Sequence, residues 1–202
     1  MTHKLSTAEM HRLSVEEYRR SNKLPLTVVL DNIRSQNNIG SVFRTADAFR
    51  VGHIALCGIC STPPHREIHK TALGAEDSVE WSHHGSTAQC LLGLKERGVL
   101  VYAVEQVSDS IKPGGSLWQA ERARWARAAW AEPCPAPSVA AGRPVAIVLG
   151  NEIEGVSDEA LALCDGSIEI PQSGTKHSLN VSCAAAIVMW EMYKAMTMPC
   201  ND

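Results

Sequence analysis

The sequence contains no apolar run that approaches the roughly 20 residues needed to cross a bilayer. Its first residues, Met1 to Glu9, are polar and lack the apolar core of a secretory signal. We therefore expect a cytoplasmic protein that makes no membrane contact.

The chain also lacks an excess of positive charge, since its formal net charge is −3. A protein that coats nucleic acid through bulk charge needs many phosphate contacts, and this composition does not favour that mode. Any RNA partner is therefore expected to meet a local basic patch.

Cysteine and histidine clusters with metal-binding spacing are missing as well. The seven cysteines are scattered, and the one CxxC, Cys57 to Cys60, has no second pair to complete a zinc site. His65 and His69 share a helical spacing but lack a third ligand, and the pair His83-His84 is similar. We expect buried structural thiols, histidines that meet solvent or RNA, and no metal.

The 202 residues instead show short runs of Val, Ile and Leu that alternate with segments of helical length. This alternation predicts an α/β domain with a mostly parallel sheet flanked by helices. Strands are predicted near 27–31, 53–57, 78–82, 99–105, 144–149 and 167–170. Helices are predicted near 38–50, 86–97, 157–164 and 178–195.

The predicted domain, 25–198, is preceded by a helical arm, 1–24, in which Ser14 and Glu17 fit a capping box. The arm is interpreted either as a solvated helix packed on the core or as a grip for RNA. Five of the ten prolines fall between Pro113 and Pro144, which predicts an excursion at about 113–143. Trp118 and Trp125 are a heptad apart there, and a packing role is favoured for both.

Three glycine-containing junctions adjoin strand ends, where open α/β sheets place ligands. The first runs from Leu30 to Asp47 and contains Asn38, Gly40 and Arg44. A helix is predicted to begin near Asn38, and the side chains of Asn38 and Arg44 converge only if it starts after Asn38. Taken alone, a capping asparagine and a surface arginine are commonplace.

The second junction is Leu149-Gly150-Asn151-Glu152-Ile153-Glu154-Gly155, which matches neither the phosphate loop nor the GxGxxG fingerprint. Glu152 is predicted to receive backbone hydrogen bonds or to pair with Arg44. The third junction runs from Ile170-Pro171 through Gly174 to Ser178-Leu179-Asn180-Val181-Ser182, where Ser178 is a candidate N-cap.

Together these segments resemble the three signature motifs of the TrmH (SpoU) family of the SPOUT superfamily, in order and spacing, over roughly residues 25 to 195. His69 to Ala75 fits a further segment often seen between the first two motifs. The chain departs from the family pattern in the excursion and in having no added recognition domain ahead of the core.

The resemblance implies an RNA ribose 2′-O-methyltransferase that uses S-adenosylmethionine and whose C-terminal segment forms a deep trefoil knot. It also implies a homodimer whose pocket is completed across the interface. The implied cofactor-binding residues follow the second and third motifs: Leu149, Gly150, Asn151, Gly155, Ile170, Pro171, Ser178, Leu179 and Asn180.

The implied catalytic residues are Arg44, Asn38, Glu152, Ser178 and Asn180. Arg44 is expected to bind the phosphate beside the target and to lower the pKa of the hydroxyl, because a guanidinium is a poor general base. The short chain favours tRNA over rRNA as substrate. Two alternatives stay open: a catalytically silent knotted RNA-binding module, and base rather than ribose methylation.

Overall fold

A computed structural model of the chain describes residues 3–6, 9–121 and 144–197, which form a parallel sheet covered by helices on both faces. The sheet order is β3-β2-β1-β5-β4-β6, and every neighbouring pair of these strands is parallel. The strands are β1 (Leu24–Asp31), β2 (Val51–Cys57), β3 (Trp81–His84), β4 (Leu100–Val104), β5 (Val145–Gly150) and β6 (Gly166–Ile168). The helices are α1 (Val15–Arg20), α2 (Gln36–Ala48), α3 (Arg66–Ala72), α4 (Ala75–Ser78), α5 (Thr87–Glu96), α6 (Asp158–Leu161) and α7 (Val181–Thr197).

Both faces of the sheet are buried along most of β1, β2, β4 and β5, which explains why these strands are mostly apolar runs. Along β1, Val28 and Leu30 point into a core formed with α2 and α7, where Phe43 and Met189 are fully buried. Val29 points to the opposite face, into a smaller core with α5 and α6. This alternation follows from the two-residue period of a strand.

The order of the strands creates a switch point between β1 and β5. The chain leaves β1 through α2 towards β2 on one side, and leaves β5 through α6 towards β6 on the other. A crevice forms at the carboxyl ends of neighbouring strands whose connections diverge in this way. Gly150, at the end of β5, lines the cleft found at this edge of the sheet.

All six predicted strands are confirmed, with shifted ends. The largest shift concerns the prediction at 78–82, because Ser78 ends α4 and the strand is Trp81–His84. Helices α3 and α4 were not predicted, and α6 is shorter than the predicted 157–164.

The predicted capping box of α1 is present, since Ser14 and Glu17 each accept a hydrogen bond from the other's backbone N–H. Of the proposed excursion, only 113–121 is described; it forms a turn followed by helix at 116–121, and Trp118 is buried. Trp125 and the rest of the excursion lie outside the described residues.

Cys57 and Cys60 are both buried free thiols, as predicted. The Cys60 sulfur accepts a hydrogen bond from the Ile33 amide at 3.1 Å and donates to the Leu30 carbonyl at 3.3 Å. Burial raises the pKa of the Cys60 thiol to about 11. Such a thiol packs the loop after β1 against the loop after β2 and is poorly suited to redox chemistry.

His65 and His69, noted in the sequence for their helical spacing, have different roles. His65 precedes α3 and caps it, accepting from the Glu67 amide, whereas the His69 ring contacts Glu76. No group of three or more potential metal ligands is found in the described parts of the chain. Among the described helices, none combines the length and apolarity that crossing a membrane requires.

Helices α2 and α3 touch at Gly40, where a Cβ would collide with the Ile68 carbonyl and the Thr71 hydroxyl. We expect Gly40→Ala to lower the free energy of unfolding by about 2–3 kcal/mol, because backbone atoms of α3 must move. Gly93 lies in α5 with open space around it, so Gly93→Ala is the matched control and should add about 0.5–1 kcal/mol. Urea unfolding of both variants measures this, and equal effects would contradict the packing argument.

Candidate active site

The second and third sequence segments line one cleft at the carboxyl ends of β4, β5 and β6. Its volume is about 360 Å³. Polar and apolar residues both line it, and the apolar ones include Leu149, Ile170 and Leu179. The residues that line it are 104–106, 149–155, 168–170, 172, 177–179, 181 and 184.

The loop after β5 is a tight turn that returns on itself. The Asn151 side-chain oxygen accepts from the amides of Ile153 and Glu154, each at 2.9 Å, and the Gly155 amide donates to the Asn151 carbonyl at 3.0 Å. A Cβ at Gly150 would overlap the Gly155 backbone, and Gly155 itself has a φ of 72°. Both glycines are therefore required by the shape of this loop.

The third segment is an exposed loop that ends at α7. The candidate N-cap Ser178 is a wrong prediction, because α7 begins at Val181 and the Asn180 side chain accepts from the Ser182 amide at 2.9 Å. Ser178 and Leu179 instead line the cleft, while Pro171 does not. The Gln106 side chain donates to the His177 carbonyl at 3.3 Å, which ties this loop to the end of β4.

The first segment reaches the site through Asn38. The side-chain nitrogen of Asn38 donates a hydrogen bond to the Glu152 carboxylate at 2.5 Å. The side-chain oxygen of Asn38 accepts one from the side-chain nitrogen of Asn180 at 3.2 Å. One asparagine therefore joins all three segments, which are 114 and 142 positions apart in the sequence.

Arg44 does not join this group. Helix α2 begins at Gln36, capped by Ser35, and so before Asn38 rather than after it. Six positions further on, Arg44 is turned about 120° away around the helix axis. Its side chain is exposed and does not line the cleft, so the predicted pairing of Arg44 with Glu152 is wrong: within the described residues Glu152 pairs with Asn38.

Two further carboxylates support the site and were missed by the sequence reasoning. Asp31, only 1% exposed, accepts from the Thr87 hydroxyl at 2.5 Å and from the Ser157 amide at 2.8 Å. Glu105 accepts from the Val156 amide at 3.1 Å and from the Gln106 amide at 2.9 Å. Asp31 ends β1, and Glu105 directly follows β4. Because open α/β sheets bind ligands at the carboxyl ends of their strands, this position in the sequence could have identified both residues.

The cleft is strongly acidic. Four carboxylates line it, and none of the described residues that line it is a lysine or an arginine; the acidic residues are Glu105, Glu152, Glu154 and Glu169. Among the described residues, Lys112 lies 3.6 Å from Glu169, and no lysine or arginine forms a salt bridge with the other three. Such a site favours a ligand that carries positive charge.

Comparison with known sequences places the chain in a family. A profile of the SpoU rRNA Methylase family matches residues 25–190. The tRNA (guanosine(18)-2'-O)-methyltransferase of Thermus thermophilus is 34% identical over 183 residues, which cover 91% of this chain and 81% of that protein. The 23S rRNA (guanosine-2'-O-)-methyltransferase RlmB of Nitrosomonas europaea is 32% identical over 84% of this chain and 56% of that protein.

Solved structures share the fold. The A. aeolicus TrmH/SpoU tRNA modifying enzyme superposes with a TM-score of 0.69 at 24% identity, over 90% of this chain and 80% of that one. AviRb of Streptomyces viridochromogenes, a SpoU methyltransferase solved in complex with AdoMet, gives a TM-score of 0.67 at 19% identity, over 87% and 62% of the two chains. With the three motifs assembled around one cleft and a family profile that spans most of its length, the chain belongs to the SpoU (TrmH) methylase family.

Proposed function

We propose that this protein is an S-adenosylmethionine-dependent RNA methyltransferase that acts on a ribose 2′-hydroxyl of tRNA in the cytoplasm. The observation that carries the proposal is the convergence of three distant motifs through Asn38, Glu152 and Asn180 beside one acidic cleft. The Thermus thermophilus relative is named for this reaction on tRNA and spans most of the chain. The RlmB relative makes rRNA the second candidate substrate.

The cleft suits S-adenosylmethionine in size, polarity and charge. Leu149, Gly150, Asn151 and the loop up to Gly155 line one side of the cleft, and Ile170, Ser178 and Leu179 line the other. Pro171 and Asn180, which adjoin these residues in the chain, are assigned to the binding of the same ligand. The apolar side chains of Leu149, Ile170 and Leu179 suit an adenine ring, and the carboxylates suit a sulfonium. When bound, the cofactor supplies a methyl group already activated by the sulfonium, so the proposal assigns no metal to the reaction.

The side chains of the site orient the ribose and stabilise charge. A guanidinium keeps its protons at neutral pH, so we assign Arg44 to the phosphate beside the target, where it lowers the pKa of the attacking hydroxyl. A phosphate oxygen or another nearby group receives the proton late in the transfer. Asn38, Glu152 and Asn180 hold the loops in register, and Ser178, in the wall of the cleft, orients the nucleotide.

Because Arg44 does not line the cleft of its own chain, this role requires the cleft of another chain. We propose a homodimer in which Arg44 of one subunit serves the cleft of the other. In support, α2 packs beside α7, and α7 exposes Ile187 and Trp190, apolar side chains that a second subunit would cover. The proposal also includes the deep trefoil knot, formed by the segment that leads into α7.

Arg44→Lys tests the role of the guanidinium. We expect the rate of methyl transfer to fall on the order of 100-fold, because an ammonium cannot replace a bidentate phosphate contact. Affinity for S-adenosylmethionine, measured by calorimetry, should stay unchanged since Arg44 lies outside the cleft. Unaltered turnover across the pH range would show that neither the geometry nor the basicity of the guanidinium is used.

The chemical position of the methyl group separates the proposal from its alternatives. Incubation of unmodified tRNA with S-adenosylmethionine should give one linkage that resists alkaline cleavage, because a methylated 2′-oxygen cannot attack the neighbouring phosphate. Methyl incorporation without a resistant linkage would indicate a base methyltransferase. Cofactor binding with no incorporation into either tRNA or rRNA would indicate a catalytically silent RNA-binding module.

Mixing two inactive variants tests the shared site. An Arg44→Ala subunit and an Asn180→Ala subunit, refolded together in equal amounts, should recover roughly a quarter of wild-type activity, since half the dimers are mixed and each has one intact site. Two Arg44→Ala preparations mixed in the same way are the control and should stay inactive. No recovery in mixed dimers detected by mass would place Arg44 at its own subunit's cleft.

A further inference from the structure

Glu105 stands out in the cleft because no sequence motif includes it. It follows β4 directly, and its two carboxylate oxygens accept from two different backbone amides, those of Val156 and Gln106. A Cβ at Gly155 would collide with this carboxylate, so the absence of a side chain there is what lets Glu105 approach the loop. The carboxylate is thereby fixed in one position in the wall of the cleft.

Within residues 3–6, 9–121 and 144–197, no lysine or arginine forms a salt bridge with Glu105. In the part of the chain that the structure describes, its hydrogen-bond partners are neutral amides, and no lysine or arginine lines the cleft beside it. Glu169, in the same cleft, differs from Glu105. Its carboxylate accepts a hydrogen bond from the Ser110 hydroxyl and lies 3.6 Å from the Lys112 ammonium group. One carboxylate is thus compensated and the other is left to act on a ligand.

We propose that Glu105 selects the charge state of the cofactor, favouring the cationic sulfonium donor over the neutral thioether product. This inference rests on the proposed function. S-adenosylmethionine and S-adenosylhomocysteine share every group except one methyl and one positive charge. Contacts with the adenine, ribose and amino acid parts therefore cancel in a comparison of the two, and the charge remains.

The physical basis is Coulomb attraction in a partly enclosed cleft, where screening by water is weaker than at an open surface. The attraction is present before transfer and disappears once the sulfur has lost its methyl group and its charge. Glu105 therefore holds the donor and releases the product. If Glu105 only braced the loop after β5, it would contribute equally to the affinities for both ligands.

The test is calorimetry of the full chain with S-adenosylmethionine and, separately, with S-adenosylhomocysteine. For Glu105→Gln we expect donor affinity to fall about tenfold while product affinity changes less than about twofold, as loss of one nearby charge predicts. Glu96→Gln is the matched control: the same substitution at an exposed carboxylate outside the cleft, where water screens the charge, should leave the ratio of the two affinities unchanged.

An equal loss of both affinities in Glu105→Gln would overturn the inference, because it would show a bracing role alone. An unchanged ratio with unchanged affinities would overturn it as well. Failure of the wild-type protein to bind either ligand would instead contradict the proposed function, so the two failures are distinguishable. Sinefungin carries a charged amine where the donor carries its transferable methyl group. Its affinity should therefore fall in Glu105→Gln as the affinity for the donor does.

Discussion

Two side-chain hydrogen bonds connect the three parts of the chain that build the site. Asn38 donates to Glu152 and accepts from Asn180, and these partners come from the loop after β5 and from the start of α7. An amide suits this position because it is both donor and acceptor, whereas a carboxylate there would repel Glu152. The parallel sheet makes the meeting possible, since it brings the carboxyl ends of its strands to one edge.

Beneath these bonds lies a rigid support. Asp31 is the last residue of β1, and its carboxylate is buried. The carboxylate accepts hydrogen bonds from the Thr87 hydroxyl, at the start of α5, and from the Ser157 amide, just after the loop that follows β5. A charge buried this deeply is tolerated because its oxygens are hydrogen-bonded. Gly150 and Gly155 then allow the loop to fold back on itself at the wall of the cleft.

The charges of the site are divided between two places. The cleft holds carboxylates, and the arginine of the first motif lies outside it on the exposed face of α2. In the proposed enzyme, this division lets one surface attract a cationic cofactor while another attracts the polyanionic RNA, and the proposed dimer brings the two surfaces together.

The sequence by itself was enough to determine the six strands, the parallel α/β class and the three motifs, because strand burial and glycine-rich turns are local patterns. It did not locate α3 and α4, which are short and depend on packing against α2. It misplaced the start of α7, since Ser178 and Asn180 are both plausible caps and only the path of the loop selects Asn180. The tertiary structure alone decided that Asn38 binds Glu152, that Arg44 faces away, and that Glu105 enters the cleft, because each depends on residues that are distant in the chain or on the rotation of a helix.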